Sequence, residues 1–269
     1  MKSKFKLILW PVIYLVLIIN VCISFVLVFR SYYFKSIFVS GSSMEPTLHG
    51  NVADVVDYGI IDDHDSAINS IKRFQIITTY YPFADSKDYT QPYIHNPDPA
   101  KGEKNVISET DSSYKIKRVY GLPGETIRFE LDNEYAEAAK SYKDSYSAQA
   151  QDAAQKAIQF YVKNNDNEGF VKQTIKFKRK INIAKIDDYK DYEFTLADDE
   201  FWVMGDNYSA SSDCFTKKAP IYKDNIVGVL IAIEGTCKIV SSVNIDTTED
   251  GTKVSYKCTQ RKRHLPVYY

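Results

Sequence analysis

The sequence predicts a mainly β protein, in which one N-terminal transmembrane helix precedes an antiparallel β domain with a helical insertion. Three features support this fold class: an uncharged apolar stretch near the N-terminus, several runs of β-branched and aromatic residues, and one segment rich in Ala and Gln. We expect a short N-terminus, a membrane helix, a β domain in two parts and the insertion, at residues 1–6, 7–29, 30–132 with 170–269, and 133–165 respectively.

Residues 7–29 are 23 residues without a charged side chain. At a helical rise of about 1.5 Å per residue they span roughly 34 Å, enough to cross a hydrocarbon core of about 30 Å. Pro11 is expected in the first turn, where proline is tolerated. A cleaved secretory or lipoprotein signal is also apolar, but this stretch is longer than a usual signal core. The residues after the stretch contain no small-x-small cleavage site, and the residues before Cys22 are not the small ones that lipoprotein processing requires. We therefore expect an uncleaved anchor.

Charges on the two sides of the anchor predict its orientation. Lys2, Lys4 and Lys6 precede it, whereas Arg30 and Lys35 follow. Because positive charge favours the inner side of a membrane, we expect a cytoplasmic N-terminus and an extracellular β domain. The predicted location is therefore the cell membrane, with a single pass and with the lipid bilayer as one partner. A formal net charge of -1 makes nucleic acid an unlikely partner, and none is expected.

Three cysteines follow the anchor, so at least one thiol has no partner within the chain. A two-residue turn at 250–251 would place Cys237 opposite His264 and Cys258 opposite Val243. That register keeps the two cysteines apart, and no disulfide is predicted.

Strand-like patterns recur along the β domain. They are found at residues 37–58, 74–81, 114–131 (on both sides of a Gly-Leu-Pro-Gly turn), 173–184, 192–207, 225–245 and 252–258. Residues 82–113 contain four prolines and many polar side chains, which predicts a long loop. The basic tail at 260–269 is interpreted as a solvated end, with a lipid-headgroup contact as the alternative.

Residues 133–163 contain neither Gly nor Pro and show the spacing of a helix. A stripe with this spacing packs against a core more often than it binds a partner, so we interpret it as a packing face. Its members are Tyr135, Ala138, Tyr142, Tyr146, Ala150, Ala153, Ala157 and Phe160.

The stretch "SGSSMEPTL" at residues 40–48 follows the anchor and concentrates hydroxyl groups. It is either a simple turn or the site of a nucleophile held near the membrane. Four scattered histidines show no zinc-ligand spacing, and the acidic run at 62–65 is interpreted as a solvated turn. We therefore expect no metal and no cofactor.

A serine can also be activated by a lysine, provided that the lysine is neutral. Burial among apolar groups lowers the pKa of a lysine from its usual value of about 10.4. Lys117 lies on the strand before the Gly-Leu-Pro-Gly turn, but Lys115 shares its face by the two-residue period. From the pattern alone, both lysines remain candidates, as does a lysine-rich solvent face.

Three motifs in order resemble those of type I signal peptidases, which are membrane-anchored proteases with a Ser-Lys dyad. They are "GSSMEPTL", "KRVYGLPGE" and "GDNYSASSD", at residues 41–48, 117–125 and 205–213. The resemblance implies an antiparallel β catalytic domain that removes signal peptides from exported precursor proteins, and it is closest to the Gram-positive type. Together with the strands around the motifs it covers about 80 residues, and excludes the long loop and the insertion.

The resemblance also assigns roles to single residues. It makes Ser43 the nucleophile and selects Lys117, not Lys115, as the general base. Its late motif implies that Ser211 orients the lysine and that a carboxylate supports this serine. The supporting group consists of Asp213, Gly205, Asp206, Asn207 and Arg118, and Met44 and Pro46 are expected to contact the substrate. The Ser43 backbone N–H is one implied oxyanion donor, whereas Gly41 leaves the second donor unidentified.

Two positions depart from the family pattern, which has arginine where this chain has Tyr208 and Phe215. Asp213 is therefore expected to be exposed or to pair with another cation, such as Lys217 or Lys218. These departures leave a catalytically inactive relative, acting as an assembly or chaperone factor, as the alternative. A self-cleaving regulator of the related Ser-Lys fold is disfavoured by the anchor and by the lack of a helix-turn-helix pattern.

Overall fold

A computed structural model describes most of the chain. The described residues are 2–39, 41–52, 55–80, 114–164, 169–242 and 255–268. The predicted loop at 82–113 lies outside them.

The chain forms five α-helices and thirteen strands within the described residues. The helices are α1 (Lys2–Tyr33), α2 (Asp65–Asn69), α3 (Asn133–Ser141), α4 (Ala148–Ala157) and α5 (Cys214–Lys217). The strands are β1 (Phe34–Phe38), β2 (Gly50–Val52), β3 (Val55–Asp62), β4 (Ile76–Tyr80), β5 (Tyr114–Gly121), β6 (Thr126–Leu131), β7 (Ile158–Lys163), β8 (Val171–Gln173), β9 (Tyr192–Thr195), β10 (Glu200–Met204), β11 (Ile221–Tyr222), β12 (Ile226–Ser242) and β13 (Ser255–Tyr268).

Helix α1 contains the apolar stretch expected of an anchor. Its residues Trp10–Val28 are apolar and long enough to cross a membrane. We expected Pro11 in the first turn of the helix. The helix begins at Lys2, however, so Pro11 lies in its interior. The lysines before the apolar stretch extend the helix toward the N-terminus, because lysine is compatible with helical structure. Strand β1 begins directly after α1, which joins the apolar helix to the β domain without a linker.

The strands form two antiparallel sheets, and the predicted fold class is confirmed. The larger sheet has the order β1-β3-β12-β4-β5-β10-β11, with β2 paired to β3 and β13 to β12. The smaller sheet has the order β8-β7-β6-β9. The Gly-Leu-Pro-Gly turn lies between β5 and β6 and carries the chain from one sheet to the other. Buried apolar side chains of both sheets and of α3 and α4 form one continuous cluster.

The insertion consists of two helices and a strand, so the prediction of one helical segment at 133–165 is partly wrong. Asp132 and Ser147 each accept hydrogen bonds from backbone N–H groups at the start of α3 and α4, which separates the helices. From Ile158 the chain alternates between buried and half-buried residues and pairs with β6, so Phe160 is a strand residue. The burial of Ala150, Ala153, Ala157 and Phe160 agrees with a packing face, whereas Tyr135, Ala138, Tyr142 and Tyr146 are exposed.

The strand predicted at 173–184 is also wrong over most of its length. Strand β8 ends at Gln173, and an extended segment leads to a 3-10 helix at Ile183–Tyr189. Lys180 forms an isolated parallel bridge with Asn207. An extended segment at this place can therefore pair with a loop instead of a sheet.

Cys237 and Cys258 form a disulfide, so the prediction of no disulfide is wrong. Strand β12 pairs with β13 in a register that places Cys237 opposite Arg261 and Cys258 opposite Ile239. The register shifts between Lys238 and Ile239, and the Cα atoms of the two cysteines are 5.7 Å apart. An irregular ladder thus brings together residues that a regular hairpin would separate. Because β13 continues to Tyr268, the tail is a paired strand instead of a free solvated end.

Candidate active site

Ser43 lies in a compact turn between β1 and β2. The backbone N–H groups of Thr47 and Leu48 donate hydrogen bonds to the Met44 carbonyl, which closes the turn. Met44 and Leu48 are buried in an apolar cluster of the larger sheet, whereas Pro46 is exposed. Buried side chains on both sides of Glu45 hold the turn against the sheet, and Ser43 lies at its half-buried rim.

Lys117 points from the central strand β5 to Ser43. Its Nζ donates a hydrogen bond to Ser43 Oγ at 2.8 Å, and the lysine is only 2% exposed. Lys115 shares the same face of the strand but is only half-buried. The pairing of β5 between β4 and β10 fixes the direction in which the lysine side chain leaves the sheet.

The environment of Lys117 favours its neutral form. Burial lowers the pKa of the Lys117 amine to about 8, while the nearby Asp213 carboxylate limits this decrease. A neutral amine has a lone pair that can accept the hydroxyl proton of Ser43. The two side chains can therefore act as base and nucleophile.

The loop that contains Gly205, Asp206 and Asn207 holds the Ser43 turn from the other side. The Asn207 backbone N–H donates to the Ser43 carbonyl at 2.9 Å, and its side-chain Nδ2 donates to the Ser42 carbonyl at 2.9 Å. A Cβ atom at Gly205 would overlap with the Ser43 carbonyl oxygen, so this close approach requires glycine. Two residues of this loop therefore determine where the backbone of Ser43 lies.

Asp206 forms a buried ion pair with Arg118. The guanidinium donates to both carboxylate oxygens, at 2.8 Å from Nε and 2.6 Å from Nη2. Thr47 Oγ1 donates to the same carboxylate at 2.5 Å, and Arg118 Nη1 donates to the Phe74 carbonyl at 2.8 Å. The pair thus connects the Ser43 turn, β5 and the loop that contains residues 205–207, here called the late loop. A buried ion pair with several hydrogen bonds of this kind defines geometry more reliably than it adds stability.

Asp213 is buried, so the first of its two expected states, exposure to solvent, is wrong. Its carboxylate accepts hydrogen bonds from the backbone N–H groups of Gly205, Phe215 and Thr216, at 3.0, 3.1 and 3.3 Å. Backbone N–H groups thus bind the carboxylate directly, and the charges of Lys117 and Lys218 also act on it. Burial raises the pKa of the Asp213 carboxyl, whereas the Ser211 hydroxyl, the Gly205 N–H and the charge of Lys117 oppose this shift.

Ser211 is buried beside Gly205. A Cβ at Gly205 would overlap with Ser211 Oγ, which shows how closely the two residues pack. Among the described residues, Ser211 Oγ makes no well-aligned hydrogen bond. It lies close enough to the Asp213 carboxylate, however, to lower the pKa of that carboxyl. Its expected role in orienting Lys117 therefore stays a prediction.

Aromatic side chains occupy the two positions at which the family pattern has arginine. Tyr189 stacks on Phe215 with ring centroids 4.1 Å apart and on Tyr208 with centroids 5.4 Å apart. The buried guanidinium of Arg179 lies 5.6 Å from the Tyr208 ring centroid. Sequence reasoning missed Arg179, because nothing in its lysine-rich surroundings distinguishes it from a solvent-exposed residue.

In the described part of the chain, no cluster of three or more His, Cys, Asp or Glu side chains could hold a metal ion. His49 instead contacts Glu45, and His64 contacts Asp62, both through ring nitrogens. In the described hydrogen bonds, the side-chain partner of Ser43 Oγ is the Lys117 amine and not a histidine.

The comparisons with known proteins all point to signal peptidases. The family model described as "Signal peptidase, peptidase S26" matches residues 12–233. The chain is also similar to signal peptidase I of Streptococcus pneumoniae serotype 4 and to that of a second strain of this species. Each relative is 26% identical over 188 residues, which cover 68% of this chain and 74% of the relative.

Proposed function

Because this chain belongs to the signal peptidase family, peptidase S26, we propose that it cleaves signal peptides with Ser43 as nucleophile and Lys117 as general base. The 2.8 Å hydrogen bond between Lys117 Nζ and Ser43 Oγ is the observation that carries this proposal. The lowered pKa of Lys117 supports it, because a general base must be unprotonated at the pH of the reaction.

Acylation begins when neutral Lys117 takes the proton of Ser43 as Oγ forms a bond to the scissile carbonyl carbon. The carbonyl oxygen then carries negative charge, which we assign to the backbone N–H of Ser43 as one hydrogen-bond donor. The Lys117 ammonium gives its proton to the leaving amine as the peptide C–N bond breaks. The signal peptide is left as an ester on Ser43, and the rest of the precursor leaves with a new N-terminal amine.

Deacylation repeats these proton transfers with water. Lys117 takes a proton from a water molecule, and the resulting oxygen nucleophile attacks the ester carbonyl. The bond to Ser43 Oγ breaks, and the ammonium of Lys117 returns a proton to the serine. Ser211 and Asp213 are proposed to keep Lys117 oriented through both steps.

The proposed substrates are precursor proteins that carry signal peptides. An extended segment with small side chains at the first and third positions before the cut is the form expected from the family. Such a segment can pair with a strand edge and present alternate side chains to pockets. We also propose a substrate contact for Pro46, which is exposed. The side chain of Met44 is buried, so the contact proposed for this residue, which directly follows the nucleophile, is limited to its backbone.

The proposed location of the site is the outer surface of the cell membrane. Helix α1 leads directly into β1, and Ser43 follows only five residues after the end of β1. The disulfide between Cys237 and Cys258 is consistent with an extracellular domain, because disulfides persist in oxidising compartments.

The proposal is tested by cleavage of a signal-peptide-bearing precursor with purified, detergent-solubilised protein. Ser43→Ala and Lys117→Ala are each expected to abolish cleavage, whereas Lys115→Ala retains most of it. Lys117→Arg also fails, since a guanidinium does not lose its proton in proteins. Equal losses in Lys115→Ala and Lys117→Ala would refute the assignment of the base. A folded wild-type protein that cleaves none of several precursors would favour the inactive relative instead.

A further inference from the structure

The extended segment Arg179–Ile181, here called the strap, lies between helix α4 and the loop that holds the Ser43 turn. Gln151 of α4 binds the backbone of Ile181 twice: its Oε1 accepts from the Ile181 N–H at 2.8 Å, and its Nε2 donates to the Ile181 carbonyl at 3.0 Å. Gln155, one helical turn later, accepts from the Arg179 N–H at 3.0 Å. Two glutamine side chains at i and i+4 thus take the place of a neighbouring strand.

The guanidinium of Arg179 strengthens this attachment. It is buried, and its Nη2 donates to the Gln155 carbonyl at 2.8 Å. Its Nη1 lies 3.5 Å from Tyr208 Oη, which shares a hydrogen bond of 2.7 Å with Tyr120 Oη. A buried cation is stable only with such partners, so Arg179 has little freedom to leave α4.

The other side of the strap pairs with the late loop. The Lys180 N–H donates to the Asp206 carbonyl at 2.8 Å, and the Tyr208 N–H donates to the Lys180 carbonyl at 2.7 Å. These two bonds form the parallel bridge between Lys180 and Asn207. Asn207 in turn donates to the carbonyl groups of Ser42 and Ser43. A continuous series of hydrogen bonds therefore runs from α4 to the nucleophile.

We propose that Gln151 and Gln155 are positioning residues, which fix Ser43 relative to Lys117 through the strap and Asn207. This inference rests on the proposed Ser-Lys dyad. The helical insertion then has a role in the reaction, although the hydrogen bonds described for Ser43 and Lys117 involve none of its residues. Transfer of a proton requires a short distance between Nζ and Oγ, and a displacement of about 1 Å can reduce a rate by up to about 100-fold.

The test combines Gln151→Met and Gln155→Met, which keep the approximate size and the helix propensity but remove the hydrogen bonds to the strap. We expect kcat to fall by about tenfold, with KM changed by less than about twofold, because the misplaced group is the nucleophile. The acidic limb of the kcat/KM profile keeps its midpoint, since Lys117 stays buried. Hydrogen exchange should become faster at the strap and at residues 205–208.

Two further variants separate positioning from general destabilisation. Gln149→Met changes an exposed glutamine of the same helix and is expected to keep wild-type kcat. Gln155→Glu keeps an acceptor for the Arg179 N–H and is expected to lose much less kcat than Gln155→Met. All assays are run well below the melting temperature of each variant, so that the folded fraction does not differ.

The outcomes are distinct. A double variant with wild-type kcat, or with a decrease no larger than that of Gln149→Met, overturns the positioning role. So does a lower melting temperature without faster exchange at residues 205–208. If Ser43→Ala still cleaves in the same assay, the dyad itself is wrong, which is a different failure.

Discussion

At the scale of single residues, we expect the burial of Lys117 to set the pH range of activity. The pKa of its amine is lowered to about 8, and its neutral form is the proposed base. Activity should therefore rise with pH through this value and fall as the amine becomes protonated below it. We expect an acidic limb with a midpoint near 8 in a profile of kcat/KM against pH.

A variant with all four histidines replaced by glutamine provides the control for this profile. The limb should keep its midpoint in this variant, because the proposed titrating group is the Lys117 amine. Loss of the limb would instead assign the base to a histidine and would reopen a Ser-His mechanism.

The same pKa also predicts how stability depends on pH. The pKa of Lys117 is lower in the folded protein than in the unfolded chain, so the free energy of unfolding increases with pH between about 8 and about 10.4, where only the unfolded lysine is charged.

Phe215 gives a second prediction at this scale. It is buried and stacks on Tyr189, while the Asp213 carboxylate is already bound by backbone N–H groups. Phe215→Arg would restore the family pattern, but it would bury a charge among aromatic rings. We expect a loss of about 3 kcal/mol in the free energy of unfolding. Phe215→Leu is the control and should lose less, as measured by denaturant unfolding. An arginine variant as stable as wild type would show that Asp213 accepts a cation here.

At the scale of elements, the disulfide fastens the outer part of the β12–β13 ribbon. The two cysteines are 21 residues apart. A disulfide over this separation stabilises the fold by about 3 kcal/mol if its main effect is to reduce the conformational entropy of the unfolded chain. Combined Cys237→Ser and Cys258→Ser substitutions should lower the stability of the ribbon, seen as faster hydrogen exchange at residues 238–242. Cleavage should stay within about twofold of wild type, because Ser43 and Lys117 belong to other elements. A large loss of cleavage would show that the ribbon supports the site.

Local signals at the element scale explain which boundaries could be predicted. The helices α3 and α4 have capping residues, Asp132 and Ser147, that the three-and-four spacing of the stripe does not reveal. The spacing continued into β7 because a buried Phe160 fits either period. The three-and-four spacing therefore predicted helical structure in this segment correctly, but it did not predict where the helix ends.

At the scale of the whole molecule, the orientation of the chain in the membrane is open to a direct test. In a Cys22→Ser background, the remaining cysteines are buried or in the disulfide. A Lys156→Cys variant presents a thiol on the exposed side of α4. We expect a membrane-impermeant maleimide to label it in intact cells, because the β domain is proposed to be extracellular.

The matched variant Ser3→Cys places the thiol before the anchor. It should react only after the membrane is permeabilised, since positive residues on this side favour the cytoplasm. The opposite pattern of labelling would place the site inside the cell and contradict the proposed location.

Local properties of the sequence were enough to predict the long apolar helix, the antiparallel β class and the order of the three motifs, because apolar length, two-residue alternation and contiguous motifs need no tertiary contact. The two-residue period alone left Lys115 and Lys117 equivalent, and the family motif selected Lys117. The fold then shows a physical difference between them, because it places Ser43 Oγ 2.8 Å from Lys117 Nζ. The disulfide depended on irregular strand register, and the environment of Asp213 on backbone groups distant in sequence. The connection from α4 to Ser43 depends on contacts between segments far apart in the chain, which no local pattern encodes.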